Sequence, residues 1–101
     1  MIFDEVDSGV GGATADRVGE RLARLARNAQ VLLVTHSPQV AARGDQHLRI
    51  EKSGNGRAVT TKVELLDEES RLEEVARMLA GARITEEARA AAQSLIAEGR
   101  Q

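Results

Sequence analysis

The chain has 101 residues, with 14 lysines and arginines against 16 aspartates and glutamates and a net charge of -2. This balance excludes binding to nucleic acid through bulk positive charge, although a local basic face is compatible with it. The absence of cysteine excludes disulfides and thiolate metal sites. The longest purely apolar run, Val31 to Val34, is too short to span a bilayer, and no signal-peptide pattern opens the chain. We therefore expect a cytoplasmic protein with no membrane partner.

Residues 1–45 have the pattern of a strand, a helix and a second strand. Residues 1–3 are apolar, as at the end of a strand, and apolar side chains at three- and four-residue spacing predict a helix from about Ala13 to Asn28. Val31 to Thr35 is a continuous apolar run, which is typical of a strand buried on both faces in a parallel sheet. We therefore expect a βαβ unit with parallel strands and a right-handed crossover.

A short helix and a hairpin are predicted next. Ser37 suits the N-cap, and Pro38 the first position, of a helix that stops near Gly44. From residue 46 to 66, apolar and polar residues alternate on either side of a Ser-Gly-Asn-Gly turn at residues 53–56. Because Asn-Gly tolerates positive φ, this segment predicts a β-hairpin.

Residues 67–101 predict two C-terminal helices. The first has one apolar face and ends at Gly81, and its start is either capped by Asp67 or marked by a capping box that begins at Ser70. The second starts at Thr85, and the two glutamates that follow suit the positive end of the helix dipole.

Two predicted strand ends carry residues suited to phosphate chemistry. Asp4 and Glu5 follow the first strand, and His36 follows the second. Ligands collect at the carboxyl ends of parallel strands, where an Asp can hold Mg²⁺, a Glu can activate a water and a His can donate a hydrogen bond to a phosphate oxygen. Taken alone, an acidic pair indicates a solvated turn, and a lone histidine is more often structural. His47, on the predicted hairpin, receives no role.

A glycine-rich segment, Ser8 to Gly12, separates the acidic pair from the first helix, and its glycines allow a close backbone approach to another surface. The simpler interpretation of this segment is a flexible loop. In their order and spacing, however, residues 2–12 and 34–42 resemble the C-terminal part of the RecN family. This is a family of bacterial double-strand-break repair proteins in the SMC-like branch of the ABC ATPases. The resemblance continues through the hairpin and residues 69–81, and so covers nearly the whole chain.

The resemblance implies a role for each of these residues. By it, Asp4 is the Walker B magnesium ligand, Glu5 the catalytic base and His36 the switch histidine. The implied cofactors are ATP and Mg²⁺. The D-loop region, with its nucleotide contacts, is expected at Ser8, Gly9, Gly11 and Gly12.

The chain departs from the wider ABC pattern at two places. Transporter-type ABC domains usually carry Pro-Thr where this chain has Val6 and Asp7, and many ABC and SMC heads carry Asp where it has Gly11. The RecN family shares the glycine-rich version, which favours the narrower resemblance. It leaves open which residue takes the role of the D-loop Asp.

Parts of a complete ATP site are missing from these residues. There is no Gly-x-x-x-x-Gly-Lys-Ser/Thr phosphate cradle, no ABC signature segment and no sustained heptad pattern. The resemblance implies an α/β fold: a partial P-loop NTPase of the ABC/SMC-like head type, with a parallel strand pair, a β-hairpin and C-terminal helices, lacking the Walker A strand. Residues 1–101 are expected to form the C-terminal part of that head, divided into a βαβ unit (1–45), the hairpin (46–66) and two helices (67–101).

The resemblance also predicts the strand pairing. In ABC-type heads the Walker A strand lies between the switch-histidine strand and the strand that follows it. We therefore expect residues 31–35 to pair with residues 2–4 and to make no direct ladder with residues 46–51.

Activity and partners are implied by the same resemblance. The intact protein is expected to be a bacterial, nucleoid-associated ATPase that converts ATP and water to ADP and phosphate, whereas this chain alone should be inactive. Its expected partners are the N-terminal part of the same head with the Walker A motif, a second head in a homodimer, and DNA through the intact protein. Two alternatives remain open: a small receiver-like, Mg-binding signalling module without nucleotide, and a structural domain. A receiver needs further strands, and it does not require the Thr-His-Ser-Pro-Gln sequence of residues 35–39.

A stripe of four arginines on the first predicted helix raises the question of whether this chain contacts DNA. We expect a solvated face, because acidic residues are interspersed with the stripe. Replacing all four by Gln in an intact RecN-type protein should leave DNA affinity and its salt dependence nearly unchanged. A slope of log affinity against log salt reduced by several units would indicate phosphate contacts instead. The four are Arg17, Arg21, Arg24 and Arg27.

Overall fold

The computed structural model describes residues 1–4, 9, 11–54 and 58–99. Within them, strands and helices alternate in the first half, a hairpin follows, and two helices come last. In chain order the elements are β1 (Ile2–Asp4), α1 (Gly12–Leu25), β2 (Leu32–Val34), α2 (Pro38–Ala41), β3 (Leu48–Gly54), β4 (Val59–Leu65), α3 (Glu68–Ala80) and α4 (Glu86–Gly99).

Strands β1 and β2 are parallel neighbours, as the sequence predicts. Ile2 lies opposite Leu32, and Asp4 lies opposite Val34. Helix α1 joins the two strands and completes the βαβ unit. It ends at Leu25 rather than near Asn28, because the backbone tightens into turns in which the Arg27 and Asn28 amides bond to carbonyls three residues back.

The prediction that the second strand is buried on both faces is wrong for the residues described. Leu33 is half-buried, whereas Leu32 and Val34 on the opposite face are 48% and 38% exposed. Ile2, which shares that face with Leu32, is 76% exposed. An apolar run without alternation is typical of a strand covered on both faces, but no described part of this chain covers the second face.

The hairpin is confirmed, with β3 and β4 antiparallel from the Leu48–Leu65 pair to the Gly54–Val59 pair. Its predicted turn at residues 53–56 falls partly outside the described residues. One face is largely apolar and includes Ile50 opposite Val63, which are 54% and 60% exposed. The other face carries charges, and Arg49 donates a 2.8 Å hydrogen bond to Glu64 across the strands. Here too a regular apolar face remains open.

The buried core lies between α3 and α4. Helix α3 begins with Asp67 as its N-cap, since its carboxylate accepts a 2.8 Å hydrogen bond from the Ser70 amide. Of the two predicted starts, the cap by Asp67 is therefore the one that the structure shows, rather than the capping box at Ser70. At the other end, Gly81 adopts a positive φ of 77°, and the helix stops where predicted. In α4, Thr85 caps the helix through its hydroxyl and the helical residues start one position later. The core side chains are Val75, Ala76, Ala88 and Ala92.

The two strand pairs form separate sheets. Within the described ranges, β2 has a ladder only with β1, and β3 has a ladder only with β4. The expectation of no direct ladder between residues 31–35 and 46–51 is therefore confirmed. One consequence is that the outer edge of β2 presents backbone donors and acceptors without a strand partner in this part of the chain. Across the same ranges, no helix has the length and apolar character needed to cross a membrane.

The open apolar faces predict that the isolated chain self-associates. Replacing the cross-strand pair Ile50 and Val63 by Thr should lower light scattering, because Thr keeps strand propensity while removing exposed apolar area. The matched control is Val75→Thr, which places the same residue type in the core and should reduce the folded fraction. Cooperative, monomeric unfolding of the unsubstituted chain would contradict this expectation.

Candidate functional site

The carboxyl edge of the β1–β2 pair carries two of the predicted site residues. Asp4 is the last residue of β1, and His36 comes two residues after the end of β2. Because the strands are parallel and in register from Ile2 to Asp4, both residues belong to the same sheet edge. Both are exposed. Glu5 and Ser8 lie outside the described residues.

The turn that holds His36 is built by its two neighbours. The Ser37 amide donates a 3.0 Å hydrogen bond to the Thr35 hydroxyl, which closes a tight turn around His36. The Ser37 hydroxyl donates a 3.0 Å bond to Oε1 of Gln39 and accepts a longer one, 3.4 Å, from the Val40 amide. The predicted cap of α2 by Ser37 is thereby confirmed. The histidine backbone is fixed from both sides.

Helix α2 lies against α1 at a point where α1 has no side chain. Gly19 is buried, and a Cβ built there would be 3.3 Å from the Cα of Val40. Ion pairing fixes the same contact, because Arg43 donates from Nε and Nη2 to one carboxylate oxygen of Asp16 at 3.2 and 3.0 Å. The helix before His36 and the helix after it therefore hold each other in place.

Arg71 of α3 anchors the other end of α2. Its Nη2 donates to the carbonyl oxygens of Ala41 and Ala42 at 3.1 Å each and to that of Gly44 at 2.5 Å. The residue is 6% exposed. A buried guanidinium is stabilised here by carbonyls at the C-terminal end of α2, and its charge suits the negative end of a helix. Gly44 follows the end of the helix as predicted, and its carbonyl is part of this anchor.

A charged cluster lies between the hairpin and α3, where Arg49 of β3 forms a 3.8 Å ion pair with Glu74. Glu74 is 6% exposed and accepts hydrogen bonds from Arg77, which lower the pKa of its carboxyl although burial opposes the shift. Burial lowers the pKa of His47, and the positive charge of Arg71 lowers it further, so this histidine is neutral near pH 7. The Arg49–Glu74 pair thus joins the hairpin to α3.

The described glycines of the predicted D-loop region lie at the start of α1. Gly9 adopts a φ of 81°, which favours glycine. Gly11 is the N-cap and supplies no side-chain hydrogen bond, and the first turn of α1 has no acidic residue. Gly12 lies next to Gln39, since a Cβ built on Gly12 would be 3.4 Å from Nε2 of that side chain.

The residues present fit Mg²⁺ and ATP only as one side of a site. Asp4 offers a single exposed carboxylate, and among the described residues no group of three or more His, Asp or Glu side chains could hold a metal ion. Mg²⁺ accepts such a sparse set when waters and nucleotide phosphates supply the remaining oxygens. The donor chemistry therefore suits a nucleotide-bound Mg²⁺ better than a metal held by this chain alone.

The sequence of the chain is similar to that of several DNA repair proteins. It is 52% identical over 99 residues to RecN of Streptomyces coelicolor, a match that covers 98% of the chain. It is 51% identical over 98 residues to RecN of Xylella fastidiosa and 50% identical over 96 residues to RecN of Mycobacterium tuberculosis. The chain is homologous to a segment of RecN. This confirms the family resemblance carried by residues 2–12 and 34–42.

The homology concerns a small part of each RecN protein. The chain spans 17% of the length of the Streptomyces protein, 18% of the Xylella protein and 16% of the Mycobacterium protein. No family model matches the chain. The roles of individual residues in a RecN site therefore rest on their placement and chemistry.

Three residues that contact α2 or the turn around His36 were not predicted from the sequence to have a role. Arg71 lies one helical turn before Val75 and therefore on the buried face of α3. Its position indicates burial, whereas its charge suggests an exposed residue. Gln39 lies on α2, three residues after His36, and Arg43 follows the end of that helix. Only their contacts with α1 and the Ser37 turn distinguish them from surface residues.

We expect Arg71→Met to loosen the C-terminal end of α2. The substitution keeps much of the buried volume but removes the guanidinium that binds three carbonyls, so amide hydrogen exchange at residues 41–44 should accelerate by about tenfold or more. Amides in the middle of α4 should change little. Arg21→Met, on the exposed face of α1, is the control. Equal acceleration in both variants would contradict the anchor.

Proposed function

We propose that this RecN segment supplies the magnesium-binding and water-activating side of an ATP site, and that the phosphate-gripping side comes from elsewhere in a RecN protein. The observation that supports this is the parallel β1–β2 pair, with Asp4 and the His36 turn at one carboxyl edge. Acidic and imidazole groups at such an edge suit phosphoryl transfer, which depends on positioning and charge neutralisation. The fold is then a partial P-loop NTPase head.

Each residue has a separate task in this proposal. Asp4 binds Mg²⁺, which neutralises charge on the nucleotide phosphates when bound. Glu5, next in the chain, orients a water and accepts its proton. His36 donates a hydrogen bond to a phosphate oxygen, and the Thr35–Ser37 bond fixes the backbone from which it does so. Ser8, Gly9, Gly11 and Gly12 line the nucleotide on the α1 side.

The partner surfaces follow from the uncovered side of each sheet. We propose that the N-terminal part of the same head, with the Walker A motif, adds a strand to the outer edge of β2 and covers the apolar faces of both sheets. Co-expression with that part of RecN should then make the chain soluble. A second head in a homodimer completes the nucleotide site, and DNA binds the intact protein in the bacterial cytoplasm, at the nucleoid.

The purified 101-residue chain should not hydrolyse ATP, because the Lys and backbone amides of a phosphate cradle are missing from it. A chimera in which this chain replaces its homologous segment in Streptomyces RecN should hydrolyse ATP. In that chimera, Glu5→Gln should reduce turnover by about 100-fold or more while ATP binding persists, since the water loses its base.

Glu87→Gln in the same chimera is the matched control for carboxylate loss, because Glu87 is an exposed residue of α4 and does not lie at the strand edge. It should retain most of the turnover. Turnover by the isolated chain that Glu5→Gln abolishes would show that the site is complete without a partner. An active chimera that is insensitive to Glu5→Gln would sink the proposed role of this residue.

A further inference from the structure

Gln39 lies between the two loops of the proposed site. Its Oε1 accepts a 3.0 Å hydrogen bond from the Ser37 hydroxyl, on the turn that holds His36. Its Nε2 lies beside Gly12 at the start of α1, where an added Cβ would be 3.4 Å away. The side chain is half-buried. One carboxamide therefore bonds to the turn after β2 and lies beside Gly12, where the glycine segment meets α1.

The hydrogen bonds around His36 form a short chain that ends on Gln39. Thr35 accepts from the Ser37 amide, and the Ser37 hydroxyl in turn donates to Gln39. Without Gln39, the Ser37 hydroxyl keeps only its 3.4 Å bond from the Val40 amide, and its orientation is less restricted. A displacement of the glycine segment would press on the carboxamide and reach the turn through Ser37.

We infer that Gln39 is a positioning residue that couples the placement of His36 to the placement of the Gly11–Gly12 segment. The inference rests on the proposed function and adds to it a mechanical link between the two loops. Gln39 acts through Ser37 on the histidine turn, and it need not touch nucleotide itself. Its contribution should therefore appear in the rate of the chemical step rather than in ATP affinity.

The test uses the Streptomyces RecN chimera with three substitutions at this position. Gln39→Ala removes the carboxamide, Gln39→Leu keeps bulk without the acceptor, and Gln39→Glu keeps the acceptor and the shape. The control is Gln93→Ala, an exposed glutamine of α4. Three quantities are measured for each variant: kcat and KM for ATP, the hydrogen exchange of the Ser37 amide, and the thermal midpoint.

The Ala and Leu variants should lose about three- to tenfold in kcat, the effect of one lost hydrogen bond, with KM and the thermal midpoint nearly unchanged. Exchange at Ser37 should accelerate in the same two variants. The Glu variant should have a kcat and a rate of Ser37 amide exchange close to those of the unsubstituted chimera. A purely structural role predicts instead a lowered thermal midpoint with no selective loss of kcat.

Unchanged exchange at Ser37 in the Ala variant overturns the inference whatever the activity. Unchanged kcat in the Ala variant, in a chimera where Glu5→Gln abolishes turnover, overturns it while the proposed ATP site stands. If turnover of the chimera is insensitive to Glu5→Gln, the proposed function itself is wrong. The double variant with Ser37→Ala gives a further test. If Gln39 acts through Ser37, then Gln39→Ala should reduce kcat little further in the Ser37→Ala background, whereas fully additive losses of kcat would overturn the coupling.

Discussion

The contact between the Arg71 guanidinium and the carbonyls at the end of α2 is the constraint on which the rest of the arrangement depends. Helix α2 has four residues, too few to be stable through its own hydrogen bonds. Arg71 holds its last carbonyls, Gly19 lets α1 approach its middle, and Ser37 caps its start. His36 stands directly before that cap. The placement of the proposed catalytic histidine is therefore set by a buried arginine on a different helix.

The distribution of apolar surface differs between the two halves of the chain. The helical pair α3–α4 buries its own core, whereas β1, β2 and the hairpin leave regular apolar faces open. Isolated two-stranded sheets are marginally stable in water. The strands thus depend on a covering layer far more than the C-terminal helices do. This asymmetry agrees with homology that spans 16–18% of the RecN proteins.

Much of the local structure was predictable because it depends on near neighbours. The Ser37-Pro38 cap, the Gly81 stop and the alternation of the hairpin are short-range signals, and each is confirmed. The parallel pairing of β1 and β2 followed from strand, helix and strand in order. Burial of the second strand was predicted wrongly, because an apolar run reports what covers a strand in the intact protein. For the site, the positions of Asp4 and His36 at one sheet edge were predictable from the strand order. The roles of Gln39 and Arg71 were not, because both residues are polar and would be expected at the surface, and because they contact residues distant in sequence.

The anchor of α2 also imposes an order on folding. The three carbonyls at the end of α2 lie 27 to 30 residues before the arginine that binds them. During synthesis, the histidine turn and its helix are made before Arg71, and a single turn of helix does not persist alone. The turn therefore acquires its final shape only once α3 has appeared and docked. A nascent chain interrupted before residue 71 would carry residues 36–44 without the contact that holds them, so the final shape of the histidine turn requires that α3 has been made.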